Sequence, residues 1–455
     1  MYKLETNQLV YSPSDLTLFM RSPFASWMDR LALTDKTLKK NEADPMLNLL
    51  AKKGTKHETN FLQALINQYG EKNVAQITGD KKDASQKTAD AIKAGYSVIF
   101  QAYLERDSFK GYADFLIKKP GQSKLGDYYY EVWDTKLAKT TRPYFIVQLC
   151  CYNWMLESHK GLLSDEIMVI LGDKNPDGTP HTDRIRATAH YSYFEALKSQ
   201  FLAFQNDFTG DSNQRPDPAF CTDFGNWSDY AQSILQESDS LSIVANIRKS
   251  HIKKLNAAGI HTLIGLAGTS ELTIKGMTPE IFQRIKAQAL IQLESRGQER
   301  PKYQVLETEA GKGLKGLPAH SALDVYFDIE GHPLHEGSLE YLWGVSYESP
   351  EDTTGTLYPF KDWWAHDHAQ EKLAFEGFID WVYDRWIKDP SMHVYHYASY
   401  EITAINRLAN REQTRLEEVA ELLTNGVFID LYRLVQTGLL IGEPRYSIKN
   451  VEHLY

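Results

Sequence analysis

Tyr128-Tyr129-Tyr130-Glu131-Val132-Trp133-Asp134-Thr135-Lys136 decides the first fold in this chain. Aromatic and β-branched residues make it a strand that ends on an acid and a base two residues apart. Residues at that spacing leave the same sheet face, so Asp134 and Lys136 belong together. Two further strands are expected before it, at 97–105 and 110–118, with Pro120-Gly121-Gln122-Ser123 turning the chain between the second and third. Upstream, 45–69 reads as a helix with Leu50, Gly54, His57, Phe61 and Leu65 on one stripe. A helical pattern through Leu16, Phe19, Trp27 and Leu31 starts earlier, capped by Ser14-Asp15. Downstream, 142–156 is a helix and 166–171 a buried strand. Helix, three mostly antiparallel strands, helix and strand define one α/β domain, expected at 1–210.

Composition bounds the rest. The 455 residues exceed one ordinary domain, and 42% hydrophobic with 24% charged residues is a globular balance. A formal charge of −10 argues against coating nucleic acid by bulk charge, though not against local recognition. Cys150, Cys151 and Cys221 cannot form a disulfide framework, so a reducing cytoplasm is the expected setting. No apolar stretch could span a bilayer, and no membrane partner is expected.

After Asp211-Ser212-Asn213-Gln214-Arg215-Pro216 the pattern turns helical, and a connector is expected at 211–305. Lys253-Lys254-Leu255-Asn256-Ala257-Ala258-Gly259-Ile260 and Ile274-Lys275-Gly276-Met277 resemble helix-hairpin-helix turns, whose amides can hold a phosphate; a plain helical connector reads equally well. A second α/β domain is expected at 306–455, with strands at 323–330, 339–347 and 393–397 and helices at 368–386 and from Tyr400.

The first candidate site joins Asp114, on the strand before, to Asp134 and Lys136. Hard oxygen ligands suit Mg²⁺ or Mn²⁺, and a lysine beside such a cation can orient water for attack on a phosphodiester. His57 could add a ligand, and Gln148 and Tyr152, four apart on a helix, could support the site. Singly, each has an ordinary explanation: a solvated strand face, a core histidine, helix packing. Their joint order favours the site.

Residues 11–160 resemble the RecB-like branch of the PD-(D/E)XK nucleases. The carried pattern is Gly54…His57, Gly111-x-x-Asp114, Glu131-x-x-Asp134-x-Lys136 and Gln148-x-x-x-Tyr152. The resemblance implies a restriction-endonuclease-like core in which His57, Asp114 and Asp134 bind metal, Lys136 is catalytic, and Gln148 and Tyr152 assist. Glu131 is expected on the opposite strand face. Many relatives hold an iron–sulfur cluster on four cysteines. Here Ser22-Pro23-Phe24 takes the first position and Cys221 stands alone, so no cluster and no structural zinc are expected.

Asp328-Ile329-Glu330 again places two carboxylates on one strand face, with Phe327 and Ile329 inward. With Glu401 and Asp430 they resemble the RNase H-like fold of DEDD-type 3′–5′ exonucleases, where such acids bind two metals. Glu401 replaces an Asp, and His396 stands where Asn is common. The last motif of that pattern should lie beyond Glu452, so an incomplete domain and a longer parent protein are expected. The combined architecture resembles RecB-like putative nucleases, often joined to a superfamily-one helicase. No Gly-x-x-x-x-Gly-Lys-Ser/Thr occurs, so no motor is expected within these residues. Trp363-Trp364 offers either base stacking or core packing. The implied activity is metal-dependent DNA cleavage, by preference exonucleolytic on single-stranded ends, in repair or defence. The alternatives are an active RNase H-like domain on DNA or RNA, and two non-catalytic nucleic-acid clamps serving a helicase.

Overall fold

The chain enters through β1 (Tyr2–Lys3) paired with β2 (Leu9–Val10) and turns into α1 (Pro13–Arg21) at Ser12. The computed structural model describes residues 1–3, 8–42, 45–175, 178–335, 337–348 and 358–455. They divide into two units, Met1–Ile234 and Leu235–Tyr455. The first cap differs from expectation. Ser12 is the N-cap, and Asp15 closes a capping box by accepting from the Ser12 amide at 2.7 Å. The expected single helix is also two, because Ser22 ends α1 and caps α2 (Pro23–Leu31), with Pro23 at its first turn.

α3 (Pro45–Tyr69) follows, buried only through Phe61, Leu62 and Leu65. β3 (Val74–Gln76) and α4 (Lys81–Ala94) come next, neither read from the sequence. β4 (Val98–Arg106), β5 (Phe109–Ser123) and β6 (Gly126–Thr135) form the antiparallel core, with Ile99 opposite Leu116 and Phe115 opposite Trp133. The expected turn at Pro120–Ser123 is instead strand; a register irregularity absorbs those residues and the chain reverses at Lys124-Leu125. α5 (Pro143–Lys160) then returns the chain so that β7 (Glu166–Lys174) lies parallel to β6. β8 (Pro180–Arg186) and α6 (Thr188–Asn206) complete the sheet, in the order β3-β4-β5-β6-β7-β8.

α3 covers one sheet face through Phe61, Phe115, Ile117 and Ile170. α5 covers the other through Leu149, Cys150, Cys151 and Leu156 against Leu116, Tyr130 and Val132. Strand alternation therefore turns Asp134 toward α5 and Glu131 away from it. The first unit extends past the expected boundary at 210. Trp227, just before α7 (Ser228–Glu237), and Ala231 within it pack with Phe24, Trp27 and Met28 of α2. Cys221 lies at the edge of that cluster.

The second unit begins with the helices α8 (Lys249–Ala257), α9 (Leu263–Gly268) and α10 (Pro279–Ser295). Gly259 and Gly276 take positive φ at the turns, +82° and +80°, which only glycine adopts without strain. β9 (Tyr303–Val305) pairs with β15 (Leu439–Ile441). A five-stranded sheet follows in the order β12-β11-β10-β13-β14: β10 (Val325–His332), β11 (Leu339–Tyr347) and β12 (Phe360–Trp364) are antiparallel. β13 (Val394–His396) and β14 (Phe428–Asp430) are parallel to β10. α11 (His368–Lys388), α12 (Tyr400–Glu412) and α13 (Leu416–Thr424) bury one sheet face through Phe375, Phe378, Leu408 and Leu422. α14 (Leu431–Gly438) starts at Asp430.

Candidate active sites

Register brings the first pair of acids together. Phe115 faces Trp133, so the next position along sets Asp114 opposite Asp134. There the backbone ladder gives way to side chains: the Thr135 amide donates to Asp114 Oδ2 at 3.1 Å, and the Thr135 hydroxyl at 3.2 Å. Asp134 is 1% exposed. Lys136 lies just past the end of β6, held by its amide to the Ile170 carbonyl at 2.8 Å, with Nζ 2.5 Å from Asp134 Oδ2. That contact is close but poorly aligned, so Oδ2 remains a buried oxygen with no hydrogen-bond donor.

The charges respond accordingly. Burial, then the neighbouring Asp114 charge, pushes the Asp134 carboxyl up to about 7, although Lys136 opposes both. Burial would lower Lys136, but Asp134, Asp114 and Glu58 together hold its ammonium above the usual lysine range. Tyr152 is raised well above its ordinary value by burial and by Asp134 and Asp114, with Gln148 in hydrogen-bonding reach of its hydroxyl. So α5 lays the Gln148–Tyr152 pair beside the acids. Gly111 makes room for it: a Cβ there would sit 3.1 Å from the Tyr152 hydroxyl.

His57 stands apart from this group. Its Nε2 is 3.5 Å from the Ile170 carbonyl, beside the anchor of Lys136. Among the described residues no three His, Cys, Asp or Glu side chains are grouped to hold a metal, so the expected His57–Asp114–Asp134 triad is not assembled. Glu131 points away as expected, near Lys119 at 3.6 Å and accepting from the Trp133 indole at 3.2 Å. Two residues escaped sequence reading: Glu58, whose carboxyl feels Asp114 and Lys136, and Gln101, which bonds it.

Gly172 guards the placement of Lys136. A Cβ there would lie 2.3 Å from the Leu137 carbonyl oxygen and 2.9 Å from its Cα. Gly172→Ala must therefore displace the backbone next to Lys136. The expected result is a loss of about 1–3 kcal/mol in denaturant titration, with a fall in any cleavage that depends on Lys136.

In the second unit, Val325, Phe327 and Ile329 are buried while Tyr326, Asp328 and Glu330 are exposed on the opposite face of β10. Burial, then Glu401 and Glu330, raises the Asp328 carboxyl above its usual range, while the Ile329 amide opposes the shift. Glu401, at the first turn of α12, is 4% exposed and its Oε2 lacks a hydrogen-bond donor. His396 Nδ1 is 3.6 Å from that oxygen but donates to the Ala398 carbonyl at 2.7 Å. Asp430 is occupied by backbone: its Oδ1 accepts from Ala398 at 2.9 Å and Tyr432 at 3.0 Å, capping α14. Asp328 and Glu401 thus meet, Glu330 lies nearby, and Asp430 serves structure. Trp363 packs on Phe378 and Trp381, whereas Trp364 is 52% exposed.

At the α8–α9 turn an open pocket is lined by Gly259, Ile260, His261 and Gly265. Cys150 and Cys151 are buried in the core, their thiols raised by burial.

Residues 325–455 match the family model described as RNase_H superfamily. The second unit therefore contains an RNase H-like domain, and that class points to nuclease-type processing of nucleic acid. The match covers less than a third of the chain. No curated protein matches it. No helix among the described residues is long and apolar enough to cross a membrane.

Proposed function

We propose that the first unit is a divalent-cation-dependent nuclease of the RecB-like PD-(D/E)XK kind that hydrolyses DNA phosphodiesters. The carrying observation is Asp114 set opposite Asp134 with Lys136 against the pair. A buried carboxylate oxygen without a donor, next to a second acid, fits a hard divalent cation, which takes one or two protein carboxylates and completes its shell with water and phosphate. Asp114 and Asp134 would hold Mg²⁺ or Mn²⁺, and the ion when bound supplies an acidified water and screens phosphate charge. Lys136 is placed to orient that water and offset charge on the phosphate. Tyr152 and Gln148 back the acids from α5, and His57 joins them only if its ring leaves the Ile170 carbonyl.

Exonuclease action on single-stranded DNA ends, a role in repair or defence and a helicase partner follow from the RecB-like resemblance, whereas a cytoplasmic setting follows from the cysteine usage and domain limits at 1–210, 211–305 and 306–455 from the sequence pattern. Phosphate holding by the connector rests on the likeness of its glycine turns to helix-hairpin-helix units, and a plain helical connector is the alternative. The Asp328–Glu401 pair and the family match favour a second reading, in which the RNase H-like domain is the working nuclease on DNA or RNA.

End-labelled single- and double-stranded substrates with Mn²⁺ separate the two readings. Asp328→Ala is expected to leave most cleavage intact. Loss of cleavage in Asp328→Ala, with Lys136→Ala unaffected, would transfer the chemistry to the second unit. Binding without product, insensitive to EDTA, would leave both folds as clamps.

A further inference from the structure

α3 buries no side chain before Phe61. Its first half, about 24 Å at 1.5 Å per residue, is therefore a helix that core packing does not account for. Its chemistry is one-sided. Residues 45–57 hold Lys52, Lys53 and Lys56 and no acid, in a chain of formal charge −10. Counted from Leu49, these lysines stand three, four and seven residues on, so all four side chains share one helix face. Leu49 is 44% exposed, and the three ammoniums enter no ion pair among the described residues.

That face leads to the first candidate site. Leu49, Lys53 and His57 follow one another at four-residue spacing, and His57 Nε2 is 3.5 Å from the Ile170 carbonyl. The same carbonyl accepts from the Lys136 amide at 2.8 Å. The loop after Lys136 then passes α3 at Gly54, where an added Cβ would lie 4.0 Å from Leu137 Cδ1. Further on, the Thr141 hydroxyl ties the loop to β8 by donating to Asp183 at 2.5 Å. Residues 136–142 carry Lys136, Lys139 and Arg142, again without an acid. Two neighbouring segments thus bring six basic side chains beside Asp114 and Asp134.

We propose that the exposed half of α3 and the loop 136–142 bind single-stranded nucleic acid and lead it to the first-unit site, an inference that rests on the nuclease reading of that site. The lysines meet phosphates, and release of condensed counterions drives the binding. Leu49, on the same face, offers apolar contact to a base face, which only an unpaired strand presents. A polyanion suits a row of like charges with no acid among them; a protein surface of mixed charge does not.

Fluorescence anisotropy of labelled oligodeoxythymidine with the full chain tests this in EDTA, where no cleavage occurs, across a salt series. Replacing Lys52, Lys53 and Lys56 together by alanine is expected to weaken binding by about tenfold or more and to lower the salt slope by about 0.7 per lysine. Leu49→Asn should weaken binding and leave the slope unchanged. A control replaces Lys81, Lys82 and Lys93 by alanine; these are exposed on α4, which packs on the opposite face of the sheet, and neither quantity should change. Affinity within twofold of wild type and an unchanged slope in the α3 lysine variant overturn the track. So does an equal loss in the control, which reduces the effect to bulk charge. Equal affinity for a duplex, or full affinity in Leu49→Asn, overturns the single-strand assignment. Binding that behaves as expected in a chain that gives no product with Mn²⁺ would remove the nuclease reading and leave this surface standing.

Discussion

Lys136→Ala is expected to reduce Mn²⁺-dependent cleavage by about 10²–10³-fold or more, the usual effect of deleting one group that stabilises transition-state charge. The ammonium is 2.5 Å from Asp134 and shares its surroundings with Asp114 and Glu58, so no other side chain described there carries its charge. The fold should survive. Lys136 lies past the end of β6, and its backbone bond to Ile170 does not need the side chain. Losing the ammonium pushes the Asp134 carboxyl further toward its protonated form, which limits the destabilisation. Single-turnover cleavage with circular dichroism of the same sample checks both halves. Full activity in a folded Lys136→Ala protein would place the chemistry elsewhere.

Asp134→Asn is expected to abolish cleavage and yet stabilise the metal-free protein. The Asp134 carboxyl is raised from 3.8 to about 7 by burial and by Asp114. The folded state then binds a proton that the unfolded state has released. Its favourable contribution is complete below about pH 3.8, is lost as pH rises toward about 7, and stays lost above. Asparagine removes that dependence. At pH 8 the variant should gain roughly 1–3 kcal/mol over wild type, or about 2–4 °C of melting temperature per kcal/mol. At pH 4 the two should converge. Mg²⁺ should close the gap at pH 8 by raising wild type more than the variant, because a ligand stabilises only the state that binds it. Equal melting curves at both pH values would mean that Asp134 is not strained by its neighbours. A site that sacrifices stability in this way is common where chemistry needs buried charge.

Much of this was legible in the chain. The period-2 pattern of 128–136 put Glu131 on the face opposite Asp134, and the strand is regular there: Tyr130 and Val132 pack on the α5 side and Trp133 on the α3 side. Tyr326, Asp328 and Glu330 likewise face out while Phe327 and Ile329 face in. The α4 helix was readable but missed: Asp80 accepts from the amides of Lys82 and Asp83, and Gly95 ends it in the left-handed conformation. The turn expected at Pro120–Ser123 failed because Pro120 and Gly121 were accommodated by an irregular edge of β5. Gln101 had no sequence signal at all. It takes a positive φ within β4 and bonds Glu58 of α3, a tertiary contact that no local propensity encodes. Asp430 shows the converse limit, since an acid after an apolar run serves equally well as a helix cap.

The most direct test is anomalous diffraction from crystals soaked in Mn²⁺. The account predicts a peak about 2.0–2.3 Å from carboxylate oxygens of both Asp114 and Asp134, close to Lys136. Absence of density there, with a strong peak only between Asp328 and Glu401, would contradict it.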